Sequence, residues 1–514
     1  MSEEQTVEKQ EHGSTGLKRG MKSRHLGMIA IGGAIGTGLW FASGRVVSDI
    51  GPGGAVLVFT LMGCLVYFLM TSLGEMATKV PLSGSFETYA SKFIDPAAGF
   101  AIGWNYYLSW TVTVTFEIVV GVKALQFWIA MTPQQEWIPS ILFFLLLFGL
   151  NFASARVFGE SEYWFSSLKV ITVILFLVIG LLLIIGVVGP GSPGTANWTH
   201  TATTGALAGS SAPFPTGIGA IVSAFLVAAF SFQGTELIGL SAGEAENPEK
   251  TIPKAINSVF WRVVLFYIGS MIVIGFLVPF DDPHLLQTHE VDSTDVGAAS
   301  YSPFTLVFFN AGFGWAAHFM NFVFLTSVLS CGNSGLFCAT RMLYGMANEG
   351  KAPKVLRKTN KRGIPINALL LTAGIVAFGF VSSLLPVDII DFLLNASGMM
   401  GMFGWLAIAW CHWRFRRAYI KQGNNLNDLV YKAKFFPVGP IVGMIICVLV
   451  ILTAEKWVFT ADPFSFADFI YWYWPVPVIV GLYFVYKFVM KTKIIPLEEC
   501  DFSVEYKVHK RGDQ

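Results

Sequence analysis

The sequence predicts an all-α membrane protein of twelve transmembrane helices, and three of its properties point there. Of its 514 residues, 54% are hydrophobic and only 13% are charged, whereas soluble domains are about one-quarter charged. The apolar residues fall into twelve stretches, and a helix needs roughly 20 such residues to cross a bilayer. The lysines and arginines concentrate in alternate connecting segments, as they do in membrane proteins of fixed orientation.

The predicted spans follow one another with polar or Gly- and Pro-containing connections. They cover residues 26–48, 54–77, 97–129, 138–153, 163–188, 216–243, 260–280, 304–342, 367–385, 389–413, 439–454 and 470–490. We therefore expect one twelve-helix transport domain, residues 25–490, between a cytoplasmic N-terminal segment, 1–24, and a cytoplasmic C-terminal tail, 491–514. The N-terminal segment is polar rather than apolar, so no removable signal peptide is expected.

The distribution of lysine and arginine predicts a multi-pass protein of the cell (inner) membrane with both termini in the cytoplasm. With the N-terminus placed inside, all but four of the 34 Lys and Arg residues fall in cytoplasmic segments or at the helix ends next to them. The positive-inside rule expects this bias. The exceptions are Arg45 and Lys456 outside, and Lys123 and Lys169 within spans.

Several classes of function lack support in the sequence. A net charge of +1 offers no basic surface for nucleic acid, and no GxxxxGK[ST] segment would bind the phosphates of ATP. The histidines form no HExxH pattern, and the six cysteines have no CxxC spacing. We expect no enzyme, no cofactor, no metal site and no nucleic-acid partner. An ion or solute gradient would supply the energy.

The first and sixth predicted spans each contain a point where a helix is weak. Glycines at 32, 33, 36 and 38 surround Thr37 in the first span, and each costs a helix interior about 1 kcal/mol relative to alanine. The sixth span contains the run Ser231-Phe-Gln-Gly-Thr-Glu236. We predict that both helices are broken. Close helix packing, as in GxxxG patterns, remains an alternative reading of the glycines.

The two breaks are five spans apart, which predicts an inverted repeat. Because five is odd, a second set of five helices re-enters the membrane from the opposite side, and the breaks face each other. Unwound backbone exposes N–H and C=O groups that must line a polar cavity or a ligand. Helix N-termini attract a carboxylate and free carbonyls suit an ammonium. Together these groups predict binding of a free α-amino acid.

Several motifs carry a resemblance to a known family. They are residues 17–26 with 28–39, Gly51-Pro-Gly-Gly54, residues 234–239 with 242–244, and residues 333–335 with 340–344. Through them nearly the whole chain resembles the amino-acid transporter family of the amino acid/polyamine/organocation (APC) superfamily. The resemblance implies a LeuT-like fold of two inverted five-helix repeats plus two helices, and uptake driven by the proton gradient.

Further segments resemble the lysine-transporting members of that family. These segments are Gly103-Trp-Asn-Tyr-Tyr107 with Trp110, and residues 159–165, 230–239 and 435–440. The resemblance implies import of L-lysine by proton symport with alternating access, so that the partners would be lysine or a related amino acid, the proton and the lipid bilayer. The alternative is a proton-coupled permease or exchanger for another amino acid, either arginine, histidine or a neutral one.

The predicted substrate site combines the two breaks with aromatic and acidic side chains beside them. Aromatic faces can hold an ammonium by cation–π attraction, although such side chains more often only pack. The predicted substrate-binding residues are Ile31, Gly33, Ala34, Gly36, Thr37, Tyr106, Trp110, Glu117, Phe230, Ser231, Thr235 and Glu236.

Proton coupling is predicted to involve Lys169, Glu236 and Glu244, because an ionisable group at the bilayer centre costs at least ~2.5 kcal/mol and needs a partner or a role. Lys169 is expected roughly 9 Å from the cytoplasmic side. There its ammonium would meet carbonyls of the first break, or would snorkel to the surface. In proton-coupled relatives a lysine on this helix takes the place of a sodium ion, which is what the resemblance implies for Lys169.

The acids have several possible roles. Glu236 would accept a substrate ammonium, hold an exchangeable proton or cap the second half-helix. Glu244 would be a proton exit group or an interfacial acid. Glu117 is expected near 30 Å along the third span, too far in depth from Lys169 to pair with it. If Glu117 faces the cavity, it is a second candidate for holding a cationic side chain.

Overall fold

The computed structural model describes residues 28, 35–82, 85–153, 155–203, 207–240, 248–286, 302–382 and 389–503. Their regular secondary structure is helical, apart from one isolated β-bridge between Thr201 and Ser211. The main helices are α1 Gly38–Lys79, α2 Ser85–Phe93, α3 Pro96–Gln126, α4 Trp137–Ala153, α5 Ala155–Ile184, α6 Ile221–Phe232, α7 Pro248–Arg262, α8 Pro303–Asn310, α9 Gly314–Asn348, α10 Ile366–Ser382, α11 Ile389–Lys421, α12 Val438–Thr453, α13 Phe466–Tyr473 and α14 Pro475–Met490. A π-helical turn, Val263–Ile268, and a helix, Gly269–Leu277, continue α7.

The helices fit a membrane in length and hydropathy. Among the described residues, six are long and apolar enough to cross a bilayer. The pair α13 and α14, bent by 73° between them, would make a seventh. Helices α4, α10 and α12 are apolar but shorter. The predicted all-helical class is confirmed, whereas the count of twelve spans stays a prediction.

Helix α1 contains the turn between the first and second predicted spans. Gly51 has φ +73° and ψ 176° inside it, a conformation that glycine adopts at little cost, so the helix is interrupted there. A Cβ atom at Gly51 would lie 2.4 Å from Cδ of Pro215. The N–H of Gly53 donates to the carbonyl of Pro213 at 3.1 Å. The turn therefore has no room for a side chain.

The predicted span limits differ from several of the helices. Helix α5 begins at Ala155, well before the predicted span 163–188, because the polar residues ahead of the apolar stretch are helical too. The predicted span 304–342 is wrong as a single helix. The chain turns at Gly312, with φ +80°, between α8 and α9.

Helix α3 is surrounded by protein. It packs against α2, α9, α10, α11 and α14, and most of its side chains from Pro96 to Ala124 are buried. The carboxylate of Asp95 caps its start by accepting from the N–H of Ala97 at 2.9 Å. Because neighbouring helices rather than lipid cover it, α3 can carry polar side chains at membrane depth.

A buried ion pair ties α2 to the end of α9. The ammonium of Lys351 contacts the carboxylate of Glu87, and both side chains are only 2% exposed. The same ammonium donates to the Ser91 hydroxyl at 2.8 Å and pairs with Glu349 at 2.9 Å. Removing one partner of such a pair leaves a buried charge without compensation.

The Lys351→Met variant is expected to lose about 3–5 kcal/mol of stability, because Glu87 would remain buried without its cation. The measurement is the midpoint of thermal unfolding of the purified protein in detergent. Lys421→Met is the matched control. Lys421 and Glu498 form a pair that is 53% and 56% exposed, and exposed pairs contribute little to stability. Equal midpoints for both variants would contradict the stabilising role of the buried pair.

Candidate substrate-binding site

The described residues include both places where a break is predicted. Before α1, residues 35–36 are not helical, and the helix begins at Gly38. The second break follows α6, which ends at Phe232, and a short helix resumes at Leu237–Leu240. Between them Gly234 has φ +93°, which closes a turn that an ordinary side chain would strain.

The two breaks touch at Gly38 and Ser231. The Ser231 hydroxyl donates to the carbonyl of Gly38 at 2.8 Å. A Cβ atom at Gly38 would lie 2.3 Å from Cα of Ser231, so only glycine fits this contact. At Gly36 a Cβ atom would lie 2.9 Å from Sγ of Cys331. Both interpretations of the glycine run therefore apply to these two residues. They lie at a predicted break, and they also allow close packing.

Neighbouring hydroxyls bond the other carbonyls of the first break. Ser327 of α9 donates to the carbonyl of Ile35 at 3.0 Å. Ser302, just before α8, donates to the carbonyl of Trp40. Each unsatisfied backbone group in the bilayer would cost several kcal/mol, so these side chains make the break possible at membrane depth.

A small cavity lies where the breaks meet. It is bordered by the first break, α3, the end of α6 and α9. Its lining contains the predicted residues Gly36, Thr37, Trp110, Glu117, Phe230 and Ser231, together with Gly38, Thr113, Gln233 and Cys331, which the prediction missed.

Helix α3 presents a polar stripe to this region. Asn105, Ser109, Thr113 and Glu117 are four residues apart, lie on one face and are at most 2% exposed. The Gln233 amide donates to the Ser109 hydroxyl at 2.8 Å. The spacing of four is the sequence signal that would have revealed Thr113. No comparable local pattern marks Gln233.

Glu117 is the acid that lines the cavity. One carboxylate oxygen, Oε2, accepts from the hydroxyl of Thr37 at the first break. Apart from the thiol of Cys331 beside it, the other oxygen, Oε1, has no hydrogen-bond partner among the described residues. The side chain is 1% exposed. A buried carboxylate with an open oxygen is suited to receive a cation or a hydrogen-bond donor.

Glu236 is held by groups around the second break. The N–H of Gly234 lies 3.2 and 3.1 Å from its two oxygens. The Tyr106 hydroxyl donates at 3.2 Å and the Trp405 indole N–H at 3.3 Å. Arg262, a buried cation of α7, interacts with it electrostatically. Glu236 is absent from the cavity lining, and its roles in ammonium binding and proton exchange stay predictions.

The aromatic residues divide between the cavity and the second break. Tyr106 and Trp110 form an edge-to-face pair on α3 with ring centroids 6.0 Å apart. Trp110 borders the cavity, while the hydroxyl of Tyr106 is directed to the acid of the second break. Phe230 borders the cavity and packs edge-to-face on Phe116, at 5.1 Å. Two aromatic side chains thus line the cavity together with Glu117.

Lys169 lies deep in the protein. Because α5 begins at Ala155, Lys169 is about 21 Å along the helix rather than near its start. The residue is 1% exposed, so its ammonium does not reach the protein surface as snorkelling would require. Lys169 interacts electrostatically with Glu117, Glu162 and Cys331. That Lys169 and Glu117 are too far apart to pair directly stays a prediction.

Glu162 is a buried acid that the prediction missed. It is 0% exposed and lies two helical turns before Lys169 on α5. Its carboxylate accepts from the Ser330 hydroxyl at 2.8 Å and from the Asn333 amide at 2.7 Å, both on α9. The spacing of seven residues from Lys169 was the available signal, but the predicted span began after Glu162.

The remaining predicted residues lie elsewhere. The hydroxyl of Thr235 donates to the carbonyl of Phe232 at 2.7 Å, so Thr235 stabilises the second break and does not line the cavity. Ile31, Gly33, Ala34 and Glu244 lie outside the described residues.

Residues 25–497 match the family model described as amino acid permease. The chain is 46% identical to the lysine-specific permease LysP of Lactococcus lactis subsp. cremoris (strain MG1363) over 489 residues, 95% of this chain and 93% of that protein. It is 45% identical to LysP of Escherichia coli (strain K12) over 504 residues, 98% and 99% of the two chains. The histidine permease HisP of the same Lactococcus strain is 46% identical over 490 residues, 95% and 98% of the two chains.

The Gly38→Ala variant tests the contact between the breaks. Its Cβ atom would overlap Ser231 and separate the breaks at a cost of about 1–3 kcal/mol, so uptake of a labelled amino acid is expected to fall by about tenfold. The matched control is Gly374→Ala in α10, where a Cβ atom would meet nothing within 4 Å. Wild-type uptake by Gly38→Ala would show that the breaks need not touch.

Proposed function

Because this chain belongs to the amino acid permease family, we propose that it imports L-lysine across the cell (inner) membrane by proton symport with alternating access. It is an integral membrane transporter and not an enzyme, as the sequence predicts. Two relatives at 45 and 46% identity are named lysine-specific permeases, which supports the substrate. The proposed arrangement has twelve spans, two inverted five-helix repeats plus two helices, and cytoplasmic termini.

The open oxygen of Glu117 is the observation that favours a cationic substrate. Glu117 lines a cavity whose other described lining residues carry no charge. We assign the substrate carboxylate to the N-terminus of α1, where the first N–H groups of a helix lack helical partners. Carbonyls of the two breaks would receive the α-ammonium. The side chain would extend past Trp110 and Phe230 to Glu117.

Proton coupling is assigned to Lys169 because it shares a carboxylate with the substrate. Lys169 interacts electrostatically with Glu117, the acid that would also hold the substrate ammonium. Two cations at one carboxylate repel each other, so a bound lysine favours departure of the proton from Lys169. The protonation state of Glu236 would follow the occupancy of the substrate site through Tyr106, whose hydroxyl donates to Glu236.

Histidine transport is the second candidate, because HisP is as similar to this chain as the lysine permeases are. The backbone groups of the breaks bind the part common to all amino acids. Selection between amino acids therefore depends on Glu117 and on the aromatic side chains that line the cavity, Trp110 and Phe230. A carboxylate accepts from a lysine ammonium and from an imidazole N–H alike, so a competition experiment is needed.

Labelled lysine is expected to accumulate in proteoliposomes when an inward proton gradient is imposed, because substrate and proton would enter together. An uncoupler that collapses the gradient should return lysine to its external concentration. Unlabelled lysine, arginine, histidine and leucine are then compared as competitors. Accumulation that survives the uncoupler would contradict proton symport. Stronger competition by histidine than by lysine would contradict the proposed substrate.

The Glu117→Gln variant is expected to raise the KM for lysine by about 10–100-fold, because a hydrogen bond to a charged group contributes about 1.5–3 kcal/mol. Glutamine keeps the shape and can still accept from Thr37. The control is Glu498→Gln, whose side chain is 56% exposed and remote from the cavity lining. An equal rise in the apparent inhibition constants of lysine and leucine would contradict a specific contact with the lysine side chain.

A further inference from the structure

Helix α5 carries a buried polar stripe. Glu162, Ser166, Lys169 and Thr172 follow at intervals of four, three and three residues, which is one face of a helix, and each is at most 1% exposed. The opposite face is apolar, as at Ile171, which is 56% exposed. The hydroxyls of Ser166 and Thr172 have no hydrogen-bond partner among the described residues. Buried polar groups of this kind are costly without a partner.

Lys169 and Glu162 lie on the same face of α5. Cα–Cβ bonds in a helix tilt toward its N-terminus, so a long side chain covers the preceding turn, where Ser166 lies. The two charged residues are about 10 Å apart along the helix axis, and their charges interact. Ser166 therefore lies on the helical turn between the two charged residues.

Neutral donors hold the carboxylate of Glu162. Ser330 and Asn333 donate to its two oxygens, and Oδ1 of Asn333 accepts from the amide of Asn151 at 2.9 Å. A hydroxyl can donate to a carboxylate or accept from a carboxylic acid, so this environment suits both protonation states of Glu162. The other ionisable groups that interact with this pair are Glu117 of α3 and Cys331 of α9.

Stacked aromatic rings close the stripe at the end nearer the start of α5. Phe158, one turn before Glu162, stacks on Phe337 with centroids 3.8 Å apart and planes 8° apart. The guanidinium of Arg341 lies 3.1 Å from the centroid of Phe337. The proposed orientation places this end at the cytoplasm. Glu162 is thus separated from the cytoplasmic side by a layer of aromatic rings.

We propose that Glu162 accepts the coupled proton from Lys169 and passes it to the cytoplasm. The proton leaves Nζ of Lys169 and binds a carboxylate oxygen of Glu162. Lys169 becomes a neutral amine and Glu162 a carboxylic acid. When Phe158 and Phe337 separate, Glu162 loses the proton to cytoplasmic water. This step rests on the proposed proton symport.

Glu162 suits this role better than Glu117 does. Glu117 lines the substrate cavity, so a proton that it accepted would remain beside the substrate. Glu162 lies on the cytoplasmic side of Lys169 and outside the cavity lining. It also lies within one helical turn of the aromatic layer that separates it from water. A proton that reaches Glu162 has therefore left the substrate site.

The Glu162→Gln variant tests the relay in proteoliposomes whose interior corresponds to the cytoplasm. Glutamine keeps the volume and can accept from Ser330 and Asn333 through its carbonyl, but it cannot carry the proton. Two rates are measured: lysine–lysine exchange, which needs no net proton transfer, and acidification of the interior during lysine uptake, reported by a trapped pH-sensitive dye. We expect acidification to slow by about tenfold or more, with exchange unchanged within about twofold.

Two further variants and a control test the same proton transfer. Glu162→Asp is expected to restore part of the acidification rate, and Ser166→Ala to slow it less than Glu162→Gln does. Glu498→Gln is the control for loss of an acid elsewhere. Wild-type acidification by Glu162→Gln would overturn the relay, and so would equal loss of exchange and acidification, which would show a structural role. Lysine uptake by the wild-type protein without acidification would instead overturn proton symport, so the two failures are distinguishable.

Discussion

The hydrogen bond from Ser231 to the carbonyl of Gly38 joins the two broken helices, and the geometry of the cavity depends on it. In a bilayer a helix can be interrupted only where other groups replace the lost hydrogen bonds. Here Ser231, Ser327 and Ser302 come from three different elements. The start of α1 is thereby fixed to α6, to α9 and to the segment before α8. A transport cycle that shifts α1 must exchange these hydrogen bonds for others, which makes the first break a natural switching point.

Buried charges fall into two groups by their partners. Those near helix ends form direct ion pairs: Glu75 with Arg416, Glu87 with Lys351 and Asp95 with Lys487. At membrane depth, Glu117 and Glu162 accept from hydroxyl and amide donors and interact electrostatically with Lys169. Neutral donors tolerate either state, so a carboxylate in the interior can gain or lose a proton while the helices stay in place.

The features that could be predicted from the sequence are those that depend on residues close together in the chain. Glycine is costly in a helix wherever the chain goes next, so the run around Gly36 was sufficient to predict the first break. It did not predict which residues meet there. Tyr106 and Trp405 reach Glu236 from helices far away in sequence, and no local pattern encodes that contact. Glu162 was missed because hydropathy marks only the apolar stretch, whereas α5 begins before it, at Ala155.

The geometry also reassigns the acids that the sequence left open. Both oxygens of Glu236 are engaged by Gly234 and by two aromatic side chains, so another donor would have to displace one of them. Glu117 has an oxygen open to the cavity and interacts with both Thr37 and Lys169. A substrate ammonium placed there would adjoin the first break and the charge of Lys169 at once. Substrate and proton would then be coupled through one carboxylate, without any signal having to cross the protein.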